Sequence, residues 1–183
     1  MSTYLLTWNS KEYDWQRLPY LVHLSEQGWP VLHDWSCQNA KRIRDGDRFF
    51  MLRHEEPSGI MGSGVVISRK PYPEKYDSSK VLGRRRGLFI DISFDVLVEP
   101  DSYPILLRSR LGRGALAAVK WDSPRSGAHI PDDAAGELET LWEKHLVRIG
   151  WKGKYRAMPA ALNIPAGSRG RLALAKRILI SNE

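Results

Sequence analysis

The strongest constraint in this chain is the run from Leu88 to Val98. There Leu88, Ile90, Ile92, Phe94, Val96 and Val98 alternate with Asp91, Ser93 and Asp95. A repeat of two residues marks an extended strand with one buried and one exposed face. Other strands are at hand to form a sheet with it. Tyr4 to Trp8 is short and apolar; Arg48 to His54 carries Phe49, Phe50, Met51 and Leu52; and Gly59 to Ser68 contains Gly62 and Gly64, which permit a bend or a close approach.

Helical signals lie between and after these runs. Asp14-Trp15 opens a helical stretch, with the regular helix from Pro19 to Gln27. Pro19 suits a first turn and Gly28 a stop. Ile105 to Leu111 reads as a short helix. Asp132 or Asp133 caps a final one, whose Leu138, Leu141, Trp142, His145 and Leu146 follow the helical stripe. Several strands with a few peripheral helices predict an α+β fold, a small β-barrel with flanking helices over residues 1–150. Residues 151–183 read as a basic C-terminal tail or linker, with helix predicted at 157–161 and 172–180.

The 183 residues suit one domain with an appendage, and no apolar run approaches the ~18 residues of a membrane span. Residues 1–8 lack the basic leader and long apolar region of a signal peptide. The single cysteine, Cys37, excludes an internal disulfide and a cysteine-based zinc site, so a cytoplasmic location is expected. The net charge of +7 is unevenly placed. Residues 151–183 hold seven cations against one acidic group, and residues 69–86, a predicted loop, hold seven against two. Two local basic zones suit a polyanionic partner.

Catalytic signatures are sparse. There is no phosphate-cradling Gly-x-x-x-x-Gly-Lys-Ser/Thr loop, and Gly62-Ser63-Gly64 lacks the spacing of a nucleophile elbow. The five histidines show no metal-ligand spacing, and Cys37 reads as a small apolar residue. No catalytic residue, metal or cofactor is therefore expected. Two polar-aromatic stretches stand out instead. Trp35-Ser36-Cys37-Gln38-Asn39-Ala40-Lys41-Arg42 combines an indole for stacking, Ser and Asn for directional hydrogen bonds, and two cations for phosphate. The same residues also suit a core tryptophan beside solvated charges. The second stretch, Trp121 to Pro131, pairs another indole with Ser126-Gly127, where glycine allows backbone amides to approach a ligand. It also suits a structural turn.

In order along the chain stand Tyr4-Leu5-Leu6-Thr7-Trp8-Asn9, Trp35-Ser36-Cys37-Gln38-Asn39 with Lys41-Arg42-Ile43, and Gly46-Asp47-Arg48-Phe49-Phe50. They are followed by Gly59-Ile60 with Gly62-Ser63-Gly64-Val65-Val66, and by Trp121 through Ser126-Gly127 to Ile130-Pro131. Over about residues 3–147 this order resembles the EVE domains of the PUA-like superfamily, above all those at the N-terminus of HNH endonucleases that restrict modified DNA. The resemblance implies a PUA-like barrel related to the YTH readers of methylated adenine. It also implies a pocket for a flipped, modified base, with 5-methyl- or 5-hydroxymethylcytosine in DNA favoured.

Carried onto this chain, the resemblance makes Trp35 and Trp121 pocket walls. Ser36, Asn39, Ser126 and the Gly127 amide would bond the base edge, with Trp8 and Asn9 at the rim. Lys41, Arg42 and Arg84-Arg85-Arg86 would hold phosphates. No His follows His145 and no Cys follows Cys37, so an HNH nuclease is not expected in residues 151–183. The expected molecule is a binding module, with DNA favoured over RNA as partner and a separate nuclease domain or subunit as a further one. Two alternatives accompany it: an RNA modified-base reader, and an amidohydrolase like those of the related ASCH group, for which Lys41 is the candidate lysine.

Overall fold

The computed structural model of the chain describes residues 1–73 and 87–153. Arg84, Arg85 and Arg86 lie outside the described residues, as does all of the predicted tail beyond residue 153.

Eight strands and two α-helices make up the described fold. In chain order they are β1 (Thr3–Trp8), α1 (Leu18–Glu26), β2 (Val31–Gln38), β3 (Arg48–Arg53), β4 (Gly59–Val66), β5 (Tyr72–Pro73), β6 (Leu88–Leu97), β7 (Leu106–Leu107), β8 (Ala128–Ile130) and α2 (Asp132–Arg148). Short 3-10 turns at Arg108–Arg110 and Gly114–Ala118 lie between β7 and β8. The strands form one mixed sheet in the order β2-β6-β4-β3-β1-β8, with β5 paired to β6 and β7 to β4. Only β1 and β3 run parallel among these pairs, so their C-terminal residues Trp8 and Arg53 lie side by side.

The sheet is closely packed at its centre. A side chain at Gly64 would place its Cβ 2.1 Å from the Ser93 carbonyl oxygen and 2.7 Å from the Phe49 ring. Only glycine lets β3, β4 and β6 meet at that spacing. Phe49, Phe50, Met51, Leu52, Ile60, Met61, Ile90 and Ile92 are fully enclosed, and α2 adds Leu138 and Trp142 to the same core.

The period of β6 is as expected, but its second face is not exposed. Asp91 and Ser93 are each 2 % exposed. Asp91 accepts a hydrogen bond from the Tyr72 hydroxyl, and its own amide donates to Ser68 Oγ at 3.1 Å. Asp95 accepts from Ser63 Oγ at 2.6 Å and is paired with Arg48. The alternation therefore separates an apolar core from a buried polar layer, because other elements cover both sides of this central strand.

Helix α1 starts with Pro19 in its first turn and gives way to Gly28, whose φ of +75° suits glycine. The expected aspartate cap of α2 is absent. Pro131 occupies the cap position, and Asp132 and Asp133 lie in the first turn, where the helix dipole favours negative charge. The predicted helix at Ile105–Leu111 is instead strand β7 followed by a 3-10 turn, since Leu106 and Leu107 pair with Ile60 and Gly59.

Candidate functional site

The sheet curls until its two ends meet. β2 and β8 terminate opposite ends of the strand order, yet the segment leading into β8 lies against the end of β2. Ser126 Oγ donates to the Ser36 carbonyl at 2.6 Å and lies 3.4 Å from the Thr7 amide, while Gln38 Nε2 donates to the Pro124 carbonyl at 3.3 Å. Across the same seam the Trp35 indole donates to the Thr7 carbonyl at 3.2 Å. Gly127, with φ of +87°, donates its amide to the Leu5 carbonyl, and a Cβ there would stand 2.7 Å from the Cys37 carbonyl. Gln38 ends β2 with a φ of +51°, uncommon outside glycine, where the register with β6 shifts.

Beside this seam, at the Trp8 end of β1, aromatic rings collect. Trp35 meets Trp15 at 4.9 Å between ring centres, and Tyr13 stands edge-on to Trp35 at 5.8 Å. His33 is edge-on to Trp15, Trp35 and Tyr13. Trp8 is edge-on to Trp15 at 5.8 Å. Trp8, Trp15 and Trp35 are buried, whereas Tyr13 is 44 % exposed. The Tyr13 position is set by the backbone: its amide donates to the Asn9 carbonyl, and its carbonyl accepts the Trp8 indole at 2.9 Å. Burial pushes the Tyr13 hydroxyl pKa up, and the charge of Asp34 adds to the shift.

Where the chain leaves β1 and β3 lies an open groove of about 630 Å³ lined by Asn9, Lys11, Arg53, His54, Glu55 and Glu56. The Arg53 guanidinium sits 5.6 Å from the centre of the Trp8 ring, and the His54 amide donates to the Trp8 carbonyl at 3.0 Å. Among the described residues, four buried side-chain nitrogens lack a hydrogen-bond partner: Trp15 Nε1, Arg53 Nε, His54 Nε2 and Trp151 Nε1. The first three belong to residues that touch Trp8.

The structure brings some of the expected site residues together and engages others elsewhere. Trp8 and Trp35 belong to the aromatic cluster, Asn9 lines the groove, and Ser36 lies on the seam. Asn39 is exposed beyond the end of β2. Trp121 does not form a wall. It is 1 % exposed and its indole donates to the Leu116 carbonyl at 2.8 Å, so it closes the core behind a 3-10 turn. Ser126 and the Gly127 amide are likewise occupied, Ser126 across the seam to β2 and Gly127 on β1. Glycine at 127 serves the packing of chain on chain, not of chain on ligand.

Lys41 and Arg42 are exposed. Arg42 lies near the Tyr4 phenol, whose pKa is raised by burial and then by Asp47, against smaller opposing effects that include Arg44 and Arg42. That position is toward the start of β1, away from Trp8. Cys37 is fully buried and its thiol is pushed up to about 11 by burial, which leaves it no thiolate character near neutral pH.

Sequence reasoning missed Tyr13, Trp15, His33, Arg53 and His54. One signal is present: His33 and Trp35 are spaced by two on β2, which places both rings on one face, whereas Tyr13 and Trp15 lie outside any strand or helix. Among the described residues, no group of three or more His, Cys, Asp or Glu is placed to hold a metal ion, and no helix is long and apolar enough to cross a membrane.

No family model matches the chain, and no curated protein matches it. The chain is similar in structure to Rpa0253 from Rhodopseudomonas palustris, solved by NMR, with a TM-score of 0.53 and 18 % identity over 79 % of this chain and 94 % of that one. At that identity the likeness bears on the fold alone.

Proposed function

We propose that this chain is a nucleic-acid-binding module of the PUA-like (EVE) type. It would take a modified base out of its stack, with 5-methyl- or 5-hydroxymethylcytosine in DNA favoured, and act as the specificity module of a modification-dependent restriction system. The curled α+β sheet with two flanking helices is compatible with that barrel type. The observation that carries the reading is the aromatic cluster at the Trp8 end of the sheet. There a half-exposed Tyr13 ring covers buried Trp15 and Trp35, and Trp15 Nε1 is buried without an acceptor.

A flipped base supplies what this cluster lacks. Its π-face stacks on Tyr13, or on Trp35 once the Tyr13 ring swings aside, and its ring nitrogen or carbonyl can accept the Trp15 N–H. Extruding a base costs a few kcal/mol and stacking it on one aromatic ring returns ~1–3 kcal/mol, so backbone contacts must contribute the rest. In this reading the binding residues are Trp8, Asn9, Tyr13, Trp15 and Trp35, and the seam residues Ser36, Ser126 and Gly127 hold the cluster's walls in place.

The test is a titration of the full chain against matched oligonucleotides carrying plain, 5-methyl- or 5-hydroxymethylcytosine, as single- and double-stranded DNA and as RNA. Preference for a modified DNA, lost in Tyr13→Ala while the melting temperature holds, is the expected result. Preference for a modified RNA would transfer the proposal to the RNA class. Equal affinity for modified and plain strands would overturn it.

A further inference from the structure

We propose that the groove beside Trp8 is a phosphate subsite, in which Lys11, Arg53 and His54 hold a phosphodiester group of the bound strand. This rests on the base-reading proposal above and assigns to that site backbone contacts that neither Lys41 nor Arg42 occupies a position to share.

The argument starts from register. Because β1 and β3 run parallel, Trp8 and Arg53 are partners at the same end of the sheet, and the chain leaves both strands there. Asn9 folds the departing β1 chain back: its side-chain oxygen accepts the Lys11 amide at 3.1 Å, and Lys11 joins the groove. From the other strand, Arg53 lays its guanidinium over Trp8, and His54 follows it along the groove. The same indole thus joins the aromatic cluster through Trp15 and meets the groove through the Arg53 guanidinium that lines it. A base entering the cluster would carry its own phosphate past Trp8.

Part of the lining suits an anion, although Arg53 also lies near the Glu99 carboxylate. Arg53 Nε is a permanent donor, yet it is buried with no acceptor, and Nη2 of the same side chain reaches only the Glu56 carbonyl at 3.4 Å. His54 Nε2 is also buried and without a partner. An unanswered buried donor is costly, and a phosphate oxygen answers the Arg53 N–H through a charge-assisted bond; His54 Nε2 adds a second bond when that nitrogen carries the ring proton. Glu55 and Glu56 line the same groove, and among the described residues neither Lys11 nor Arg53 is ion-paired with either carboxylate. Those two glutamates oppose an incoming anion, which gives the proposal an effect of opposite sign to test.

Two readouts decide it. In the first, ¹⁵N-labelled full chain is titrated with inorganic phosphate and, as a control, with sodium chloride at matched ionic strength. Saturable shifts at the Lys11, Arg53 and His54 amides with phosphate alone are expected, and their absence overturns the subsite. In the second, oligonucleotide affinity is measured against salt. Arg53→Gln is expected to weaken modified and plain strands by the same factor and to reduce the salt slope by about one, whereas Glu55→Gln combined with Glu56→Gln tightens binding. Arg53→Lys, which keeps the charge but removes the Nε donor, shows whether that buried donor matters apart from charge. Unchanged affinity and slope in Arg53→Gln, in a chain of unaltered melting temperature, would overturn the proposal. The two proposals fail separately. Phosphate shifts without preference for a modified base leave the subsite and remove the base reader; the converse result does the reverse.

Discussion

Two polar regions of this molecule are built from similar residue types and end in opposite states. Around Arg48, all three guanidinium nitrogens are bonded. Its guanidinium makes paired bonds to Glu139 at 3.1 and 2.8 Å, meets Asp95, and reaches the Gly64 carbonyl at 3.2 Å. Ser63 donates to Asp95 and accepts the Trp142 indole at 2.9 Å. This network ties β3, β4, β6 and α2 together, and it leaves nothing for a ligand to satisfy. Around Trp8, by contrast, an indole, a guanidinium and an imidazole each keep one buried nitrogen without a partner. Buried polar groups in folded chains are ordinarily paired. The first region is closed on itself, and the second is the one the two proposals above assign to a ligand.

Mutations should therefore move stability in one region and binding in the other. The largest effect is expected from Arg48→Ala, which strands Asp95 and Glu139 without their cation. Removing one partner of a buried pair costs about 3–5 kcal/mol, and denaturant unfolding would show it. A loss below 1 kcal/mol would mean the network is solvated. Next, Ser63→Ala removes the group shared by Asp95 and the Trp142 indole, with a loss of about 1–3 kcal/mol expected in the same assay. An unchanged midpoint would show that the indole finds another acceptor.

Across the divide, Tyr13→Ala should lower affinity for the preferred oligonucleotide by about five- to a hundredfold, the equivalent of one stacked base. Its unfolding midpoint should shift little, because the ring is half exposed. If stability fell and affinity did not, Tyr13 would belong with the structural group.

The smallest expected effect is one of pH. His145 is buried, stacks on Trp142, donates from Nε2 to the Pro104 carbonyl at 2.8 Å and accepts from Arg148 at Nδ1. Burial depresses its pKa below the ordinary 6.5, with Arg148 and Arg110 adding to the shift against the Pro104 hydrogen bond. The unfolded chain then binds the proton more readily than the folded one. Stability from this group is complete above pH 6.5 and declines as the pH falls from there through the folded pKa. His145→Gln should flatten that part of the pH–stability curve, and an unchanged curve would assign the acid sensitivity elsewhere.

The strand and helix content was legible because it rests on local periodicity. β1, β3, β4, β6, α1 and α2 all lie within a few residues of where alternation, the helical stripe and glycine stops place them. The candidate site was legible only as a neighbourhood. The sequence points to Trp8, Asn9 and Trp35, but it equally suggests ligand contacts for Trp121 and Ser126-Gly127, which the structure places in the core and the seam. A tryptophan that stacks on a base and one that fills a core look alike in a sequence, since both sit among small and polar neighbours at a chain turn.

The sequence by itself determined β1, β3, β4, β6 and the two helices, but not β2, nor β7, whose residues read as helix. Its signals act over a few residues, through backbone geometry and side-chain alternation. Tertiary structure alone decided that both faces of β6 are covered, that β2 and the segment before β8 meet across 90 residues between Ser36 and Ser126, and that Trp8 stands between an aromatic cluster and the Arg53 guanidinium, among three buried nitrogens without partners. Those outcomes depend on how the sheet curls. Whether a polar group ends up satisfied depends on its neighbours in space, and no local pattern in the chain encodes them.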